Sequence, residues 1–122
     1  MNSLDMHVLP RQIKIKDKHY ALIFDMNAFS HAEQVYYVEY GRTVNCGVII
    51  SEMMDGAISA LTALGYGALR SGGARISYAQ FAQEIMSYDQ FDLVFDAVSD
   101  ALCDAMGIDS KAENGAKEPE KN

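Results

Sequence analysis

The hydrophobic pattern between residues 18 and 36 changes its period midway. Tyr20, Leu22 and Phe24 occupy alternate positions, as in a strand with one buried face. The apolar positions that follow recur at helical spacing: Phe29, Ala32, Val35 and Tyr36. The pattern therefore predicts a strand that leads directly into a helix.

Short polar residues lie at the boundary between this strand and this helix. Asp25 and Asn27 carry side chains that can accept hydrogen bonds from the N–H groups of a first helical turn. We predict a helix from Asn27 to about Val38, with Gly41 as its left-handed terminator. A later start at Ser30 competes, because Ser30 opens a capping-box sequence.

A preceding strand is predicted over Gln12–Lys16, where Ile13 and Ile15 alternate with polar residues. The second strand is expected to begin at His19. The two residues between these strands, 17 and 18, form either a tight turn or part of a longer loop, since neither is the glycine that a tight hairpin prefers.

The tight turn would fix the register of this hairpin. It places Ile15 opposite Tyr20 and Ile13 opposite Leu22, with all four side chains on one face. A two-stranded unit is marginal in water by itself, so helices must cover this face.

The middle of the chain is predicted less completely. Between Arg42 and Gly56, Val48–Ile50 fits either a short strand or a helix that continues to Met54. Four apolar residues at spacings of four, three and four then predict a helix that ends before two glycines at 72 and 73: Ala57, Leu61, Leu64 and Ala68.

Two glycines inside this helix indicate close packing. Gly65 and Gly67 should each cost about 1 kcal/mol relative to alanine in a helix. Their expected use is the close approach of another helix.

Two serines mark the last predicted helices. Ser77 is expected to cap a short helix that carries Phe81 and Ile85, and Ser87 a long helix over Tyr88–Met106 that ends at Gly107. The long helix has an apolar stripe at regular spacing: Phe91, Val94, Phe95, Val98, Ala101, Leu102 and Ala105.

These elements predict an α+β fold with an N-terminal β-hairpin followed by a small bundle of about four helices; an essentially all-α fold is the alternative. The 122 residues, 49% of them hydrophobic, suffice for one core. We expect a flexible N-terminus over 1–10 and one globular domain over 11–107. Residues 108–122 include no aromatic side chain and are expected to form a disordered tail.

The net charge of −7 is concentrated in the C-terminal part of the chain. Residues 1–75 carry seven basic and seven acidic side chains, whereas residues 76–122 carry three and ten. Because nucleic-acid affinity depends on basic groups, this balance disfavours DNA or RNA and favours a basic or apolar protein partner. Short apolar runs and the lack of a signal-like N-terminus predict no membrane association and a cytoplasmic location.

No motif predicts a metal or cofactor site. The stretch from Asp25 to Tyr36 begins like a calcium loop, but Ser30 replaces the required glycine and Tyr36 the bidentate glutamate. Three histidines lack zinc-ligand spacing: His7, His19 and His31. The glycines around Tyr66 lack the remaining residues of a phosphate loop.

The two cysteines do not predict catalysis either. Cys103 lies between Asp100 and Asp104, which should raise the pKa of its thiol, and Cys46 has no charged sequence neighbour besides Arg42. We expect buried thiols, no disulfide and no enzymatic activity.

Five aspartates form the most distinctive constellation on the last helix. They recur at spacings of three, four, four and four, which places them on one face: Asp89, Asp92, Asp96, Asp100 and Asp104. This aspartate stripe is either a solvated face or a candidate partner-binding surface that a basic protein would neutralise.

The first motif resembles a known family. The order Tyr20-x-Leu22-x-Phe24-Asp25-x-Asn27-Ala28, with Glu33 following, is similar to the N-terminal part of the small tail assembly chaperones of long-tailed phages, prophages and gene transfer agents. The helices predicted over 61–70, 77–85 and 88–106 follow in the order typical of this family.

The resemblance implies a non-enzymatic function in the host bacterial cytoplasm. It implies binding to the tape measure protein, help in recruiting tail tube protein, absence from the mature virion and possible homo-oligomerisation. A small acidic regulatory or antitoxin-like adaptor is the alternative class.

Overall fold

The computed structural model describes residues 11–15, 17–86 and 91–107 of the chain. Two strands come first, β1 (Arg11–Ile15) and β2 (Lys18–Leu22). The helices follow in this order: α1 (Met26–Tyr40), α2 (Cys46–Met54), α3 (Ile58–Ser71), the short α4 (Tyr78–Gln80) with a π-helical turn at Phe81–Ile85, and α5 (Phe91–Ala105). The prediction of an α+β fold with an N-terminal hairpin and about four helices is confirmed, and the all-α alternative is excluded. The predicted flexible segment 1–10 and tail 108–122 lie outside the described residues.

The hairpin is antiparallel, but its register differs from the predicted one by two residues. Ile13 pairs with Tyr20 and Ile15 with Lys18, so β2 begins at Lys18 rather than at the predicted His19. A shift of two residues leaves every side chain on its predicted face, because side chains alternate with a period of two. Ile13, Ile15 and Leu22 are accordingly buried, as expected.

Both predicted ends of α1 are close to the observed ones. The Asp25 side chain caps the first turn by accepting a hydrogen bond from the Ala28 N–H at 2.9 Å. Gly41 ends the helix with a φ of 67°, a left-handed conformation that glycine adopts without strain. The alternative start at Ser30 is wrong, because the helix already begins at Met26.

Residues 42–56, for which the sequence left a strand and a helix open, contain α2. The Asn45 side chain accepts a hydrogen bond from the Val48 N–H at 3.0 Å and so caps this helix. Ile49 and Met53 are buried on its inner face at a spacing of four. The segment is therefore a helix, and the alternative of a short strand is excluded.

The central helix is α3, which is buried over most of its circumference from Ala60 to Leu69. It packs against α1 at Gly67, where a Cβ atom would overlap the carbonyl oxygen of Ala28. At Gly65 a Cβ atom would lie 3.0 Å from the Phe81 ring. The predicted role of these glycines in close packing is confirmed.

The final helices complete one hydrophobic core. Ser77 caps α4 through a capping box with Gln80, and Phe81 is buried. The inner face of α5 contributes five buried residues: Val94, Val98, Ala101, Leu102 and Ala105. Gly107 follows α5 with a φ of 77°, as predicted for its terminator. The predicted cap Ser87 lies outside the described residues. None of the described helices is long and apolar enough to cross a bilayer.

Candidate interaction surface

The structure divides the aspartate stripe into an exposed part and a paired part. Asp92, Asp96 and Asp100 are exposed on α5. Asp104 is half-buried and accepts a hydrogen bond from the Arg11 guanidinium of β1. Asp89 lies outside the described residues. The stripe is therefore not one uniform surface for a basic partner.

Arg11 neutralises the C-terminal end of the stripe from within the chain. Its Nη1 atom lies 4.0 Å from an Asp100 carboxylate oxygen, in addition to the bond with Asp104. The hydrogen bond to Asp104 raises the pKa of Arg11 above its usual value. Asp92 and Asp96 form no ion pair within the described residues, so they are the part of the stripe that remains open to a partner.

A second candidate surface lies on the C-terminal half of α1. Three large side chains there are exposed although they are apolar or aromatic: Tyr37 (64%), Val38 (65%) and Tyr40 (42%). Their neighbours Val35 and Tyr36 are buried against the core. Exposed apolar side chains that lie together are typical of protein interaction sites.

The sequence indicates this surface through a run of apolar residues, which the helical spacing of the buried positions alone does not reveal. Five of the six residues in Val35–Tyr40 are apolar or aromatic. One amphipathic helix can bury only one face, so a continuous run of this kind leaves apolar side chains on the outside. The apolar positions predicted at helical spacing in α1 account for its buried residues. They do not include Tyr37, Val38 and Tyr40.

Two grooves flank these exposed side chains, and Gln34 lines both. The first, called here the tyrosine groove, has a volume of about 190 Å³ and is bordered by residues of α1, α3 and α4: His31, Val38, Glu39, Tyr66 and Tyr78. The second has a volume of about 440 Å³ and lies between Tyr37 and the loop residue Val44. We call Gln34, Tyr37 and Val38 together with both grooves the outer α1 surface.

Aromatic contacts hold the walls of the tyrosine groove in place. The Tyr66 and Tyr78 rings are perpendicular, with centroids 5.5 Å apart, and the His31 ring meets Tyr66 edge-on at 6.2 Å. The hydroxyl groups of Tyr78 and Tyr40 lie 2.5 Å apart. Burial, with this hydroxyl contact, raises the pKa of Tyr78. The groove is thus a preformed feature of the folded chain.

Two charged side chains lie near the tyrosine groove, Arg70 and Glu39, and they differ in whether they have a partner among the described residues. Arg70 donates a hydrogen bond to the Tyr66 hydroxyl at 2.9 Å. Glu39 is exposed at the groove, and in the part of the chain that the structure describes no cation lies within ion-pair distance of its carboxylate. Burial and the nearby Arg70 charge lower the pKa of His31, which keeps its ring neutral at pH 7.

The second groove is positioned by hydrogen bonds from α1 to the segment that follows it. Glu33 accepts a hydrogen bond from the Cys46 N–H at 2.8 Å, which attaches the start of α2 to α1. The buried Tyr36 hydroxyl donates to Glu52 of α2 at 2.9 Å. Burial, reinforced by this bond, raises the pKa of Tyr36 to about 12.

Arg42 completes this attachment. It donates to both Glu52 carboxylate oxygens, at 3.2 and 2.8 Å, and its guanidinium lies 5.3 Å from the centre of the Tyr36 ring. The bonds from Arg42, with that from Tyr36, lower the pKa of Glu52. A bidentate pair fixes orientation as well as distance, so α2 is held at a defined angle beside the outer α1 surface.

The structure corrects the expected surroundings of Cys46. The sequence showed only Arg42 as a charged neighbour, whereas the fold brings Glu33 next to the start of α2. Burial first, and the Glu33 charge second, raise the pKa of the Cys46 thiol. The thiol is therefore protonated at neutral pH, the form that is least nucleophilic. Both cysteines are thiols, as predicted, but the expectation that they are buried is wrong, because both are half-buried.

Comparisons with known proteins add no assignment to these surfaces. Searches of family models, curated proteins and solved structures found no match to this chain. Across residues 11–15, 17–86 and 91–107, no group of three or more His, Cys, Asp or Glu side chains is placed to hold a metal ion. The outer α1 surface and the exposed part of the aspartate stripe are the candidate interaction surfaces.

Proposed function

We propose that the chain is a non-enzymatic tail assembly chaperone of a phage or prophage. In this function it binds the tape measure protein, keeps it from aggregating and assists assembly of the tail tube in the host cytoplasm. The observation that carries the proposal is the outer α1 surface, where large apolar side chains and two grooves are open on an otherwise acidic protein.

The chemistry of this surface suits an assembly chaperone. A long helical protein exposes apolar faces before it is assembled, and a chaperone must cover them reversibly. Tyr37 and Val38 supply apolar contact area without being part of the core. The net charge of −7 favours solubility of a complex with such a client through electrostatic repulsion between complexes.

The order of elements also supports the proposal. The resemblance to tail assembly chaperones implies a strand, a capped helix, further helices and a final longer helix. The chain has β2, the Asp25-capped α1, and α5 at the end of the described residues in that order. This agreement concerns architecture, and the outer α1 surface supplies the chemistry.

Co-expression with the tape measure protein encoded in the same genome tests the function. We expect the soluble yield of the tape measure protein to rise when this chain is present. Val38→Asp should reduce the gain, because it introduces a carboxylate into an exposed apolar contact. Leu93→Asp makes the same change at an exposed residue of α5 and is the matched control.

An equal tape measure yield with and without this chain would contradict the chaperone function. It would favour the antitoxin-like adaptor class instead. A gain that Leu93→Asp abolishes and Val38→Asp leaves intact would keep the function but move the binding surface from α1 to α5.

A further inference from the structure

The tyrosine groove combines aromatic walls with a carboxylate that has no cationic partner in the described residues. We propose that it binds a lysine or arginine side chain of the client, while apolar client residues next to that side chain contact Val38 and Tyr37. The inference rests on the proposed function, because the client is the tape measure protein. The groove would select a basic side chain of that protein.

The aromatic walls favour a cation. The faces of tyrosine rings attract ammonium and guanidinium groups. Tyr66 and Tyr78 both border the groove, and their perpendicular arrangement is fixed by the contacts of Tyr78 with Tyr40 and of Tyr66 with Arg70. A pre-positioned wall binds a side chain without the entropy loss of ordering its own residues.

The local charge also favours a cation over an anion or a second carboxylate. Glu39 is the acidic side chain that borders the groove, and the neutral His31 does not oppose a positive ligand. Arg70 is the competing positive group, but its guanidinium donates to the Tyr66 hydroxyl and to the Ile76 carbonyl oxygen, at 2.9 and 3.5 Å. Its guanidinium also lies over the Tyr66 ring, 5.8 Å from the ring centre, and so already supplies the cation at that wall. The groups left to attract a client cation are therefore the Tyr78 ring and the Glu39 carboxylate on the α1 side of the groove.

The size of the groove limits the ligand to one side chain. Its volume of about 190 Å³ lies below the roughly 300–1,000 Å³ of pockets that bind small molecules. Val38 borders the groove and is 65% exposed beside it. An amphipathic client helix commonly has a basic residue at the edge of its apolar face. The basic side chain would fill the small groove while the apolar face contacts the exposed Val38.

Measured affinity for the tape measure protein tests the role of Glu39. Glu39→Gln should weaken binding about two- to fivefold at low salt, the range expected of an exposed ion pair, and should make affinity less dependent on salt. Glu39→Lys should weaken it further. Asp55→Asn removes one exposed carboxylate outside the groove and is the matched control. Glu39 is exposed, so we expect these variants to have the melting temperature of the wild-type chain. That equality shows that they fold normally.

A photo-crosslinking residue in place of Val38 identifies the client residue directly. The expected product joins α1 to a tape measure segment with a lysine or arginine within one helical turn of the cross-link. Changing that residue to glutamine should weaken binding to the wild-type chain but not to Glu39→Gln.

The outcomes separate the inference from the proposed function. If the wild-type chain does not bind the tape measure protein, the proposed function fails. If it binds, but Glu39→Gln and Glu39→Lys bind equally well and the cross-linked segment has no basic residue, the function stands and the cation-binding groove is overturned.

Discussion

Gly67 of α3 lies directly against the carbonyl oxygen of Ala28 in α1, at a point where no side chain fits between the two helices. This approach sets the distance between α1 and the central helix of the core. It bears on which face of α1 is buried, because Ala28 and Ala32 lie at Gly67 and are both buried, whereas Tyr37 and Val38 of the same helix are exposed. The position of the outer α1 surface thus depends on a glycine of another helix.

Gly67→Ala should therefore destabilise the protein. Alanine improves helix propensity by about 1 kcal/mol, but its Cβ would overlap backbone atoms of Ala28, which cannot move without shifting α1. Overpacking of this kind typically costs about 1–3 kcal/mol, so we expect a net loss in the free energy of unfolding. Urea denaturation measures it.

Gly65→Ala is the control for this substitution. Its Cβ would lie 3.0 Å from the Phe81 ring, which is a side chain and can shift by a few tenths of an ångström. The variant should be clearly more stable than Gly67→Ala. Equal stability of both variants and the wild-type chain would mean that α1 and α3 are less closely packed than the structure shows.

The exposed part and the paired part of the aspartate stripe should respond oppositely to neutralisation. Asp96→Asn removes repulsion from Asp92 and Asp100, at about 0.2–0.5 kcal/mol per pair, and should raise stability by a few tenths of a kcal/mol. Asp104→Asn breaks the pair with Arg11 and should lower it.

A double-mutant cycle isolates the Arg11 pair. With Arg11→Gln as the second change, the coupling energy in thermal or urea unfolding should be about 0.2–1 kcal/mol, as for other partly exposed pairs. Zero coupling, or a gain in stability from Asp104→Asn, would show that the strand and the last helix are not tied by this contact.

The alkaline stability of the protein should depend on Tyr36. Its pKa rises from 10.0 to about 12 on folding, so the folded state holds the proton more tightly than the unfolded state. The resulting stabilisation is complete below pH 10 and is lost as the pH rises from 10 toward 12. Tyr36→Phe should flatten part of this decline in urea midpoints; the remainder includes Tyr78, whose pKa is also raised.

Tyr37→Phe serves as the control, since it removes the hydroxyl of the neighbouring exposed tyrosine. Any flattening of the slope beyond that of Tyr37→Phe is attributable to the buried Tyr36. If Tyr36→Phe retained the full slope, the burial that raises the pKa of Tyr36, together with its bond to Glu52, would not be present in solution.

Local signals predicted most of the fold correctly. The cap at Asp25, the terminator at Gly41 and the capping serine at Ser77 lie where short-range hydrogen bonding requires them. The hairpin register was wrong by two residues because hydrophobic alternation has a period of two and does not distinguish such shifts. The sequence does not distinguish a helix from a strand at α2, because the nine residues of this helix carry only two buried positions.

The candidate site was less accessible from the sequence, because it depends on contacts between distant residues. Arg11 is 93 positions from Asp104, and nothing in either local pattern predicts their pairing. The tyrosine groove likewise combines Glu39 of α1 with Tyr66 and Tyr78 of later helices. Only the apolar run at Val35–Tyr40 could have indicated the outer α1 surface from the sequence alone.

Oxidative footprinting of the chain with and without bound tape measure protein tests whether client binding takes place on the outer α1 surface. Tyr37 is 64% exposed on the outer α1 surface, and Met106, 48% exposed, follows α5. Binding through the outer α1 surface predicts that the oxidation rate of Tyr37 falls severalfold while that of Met106 is unchanged. Protection of Met106 with an unchanged oxidation rate at Tyr37 would rule out binding through the outer α1 surface and would assign it to the side of the molecule that carries α5.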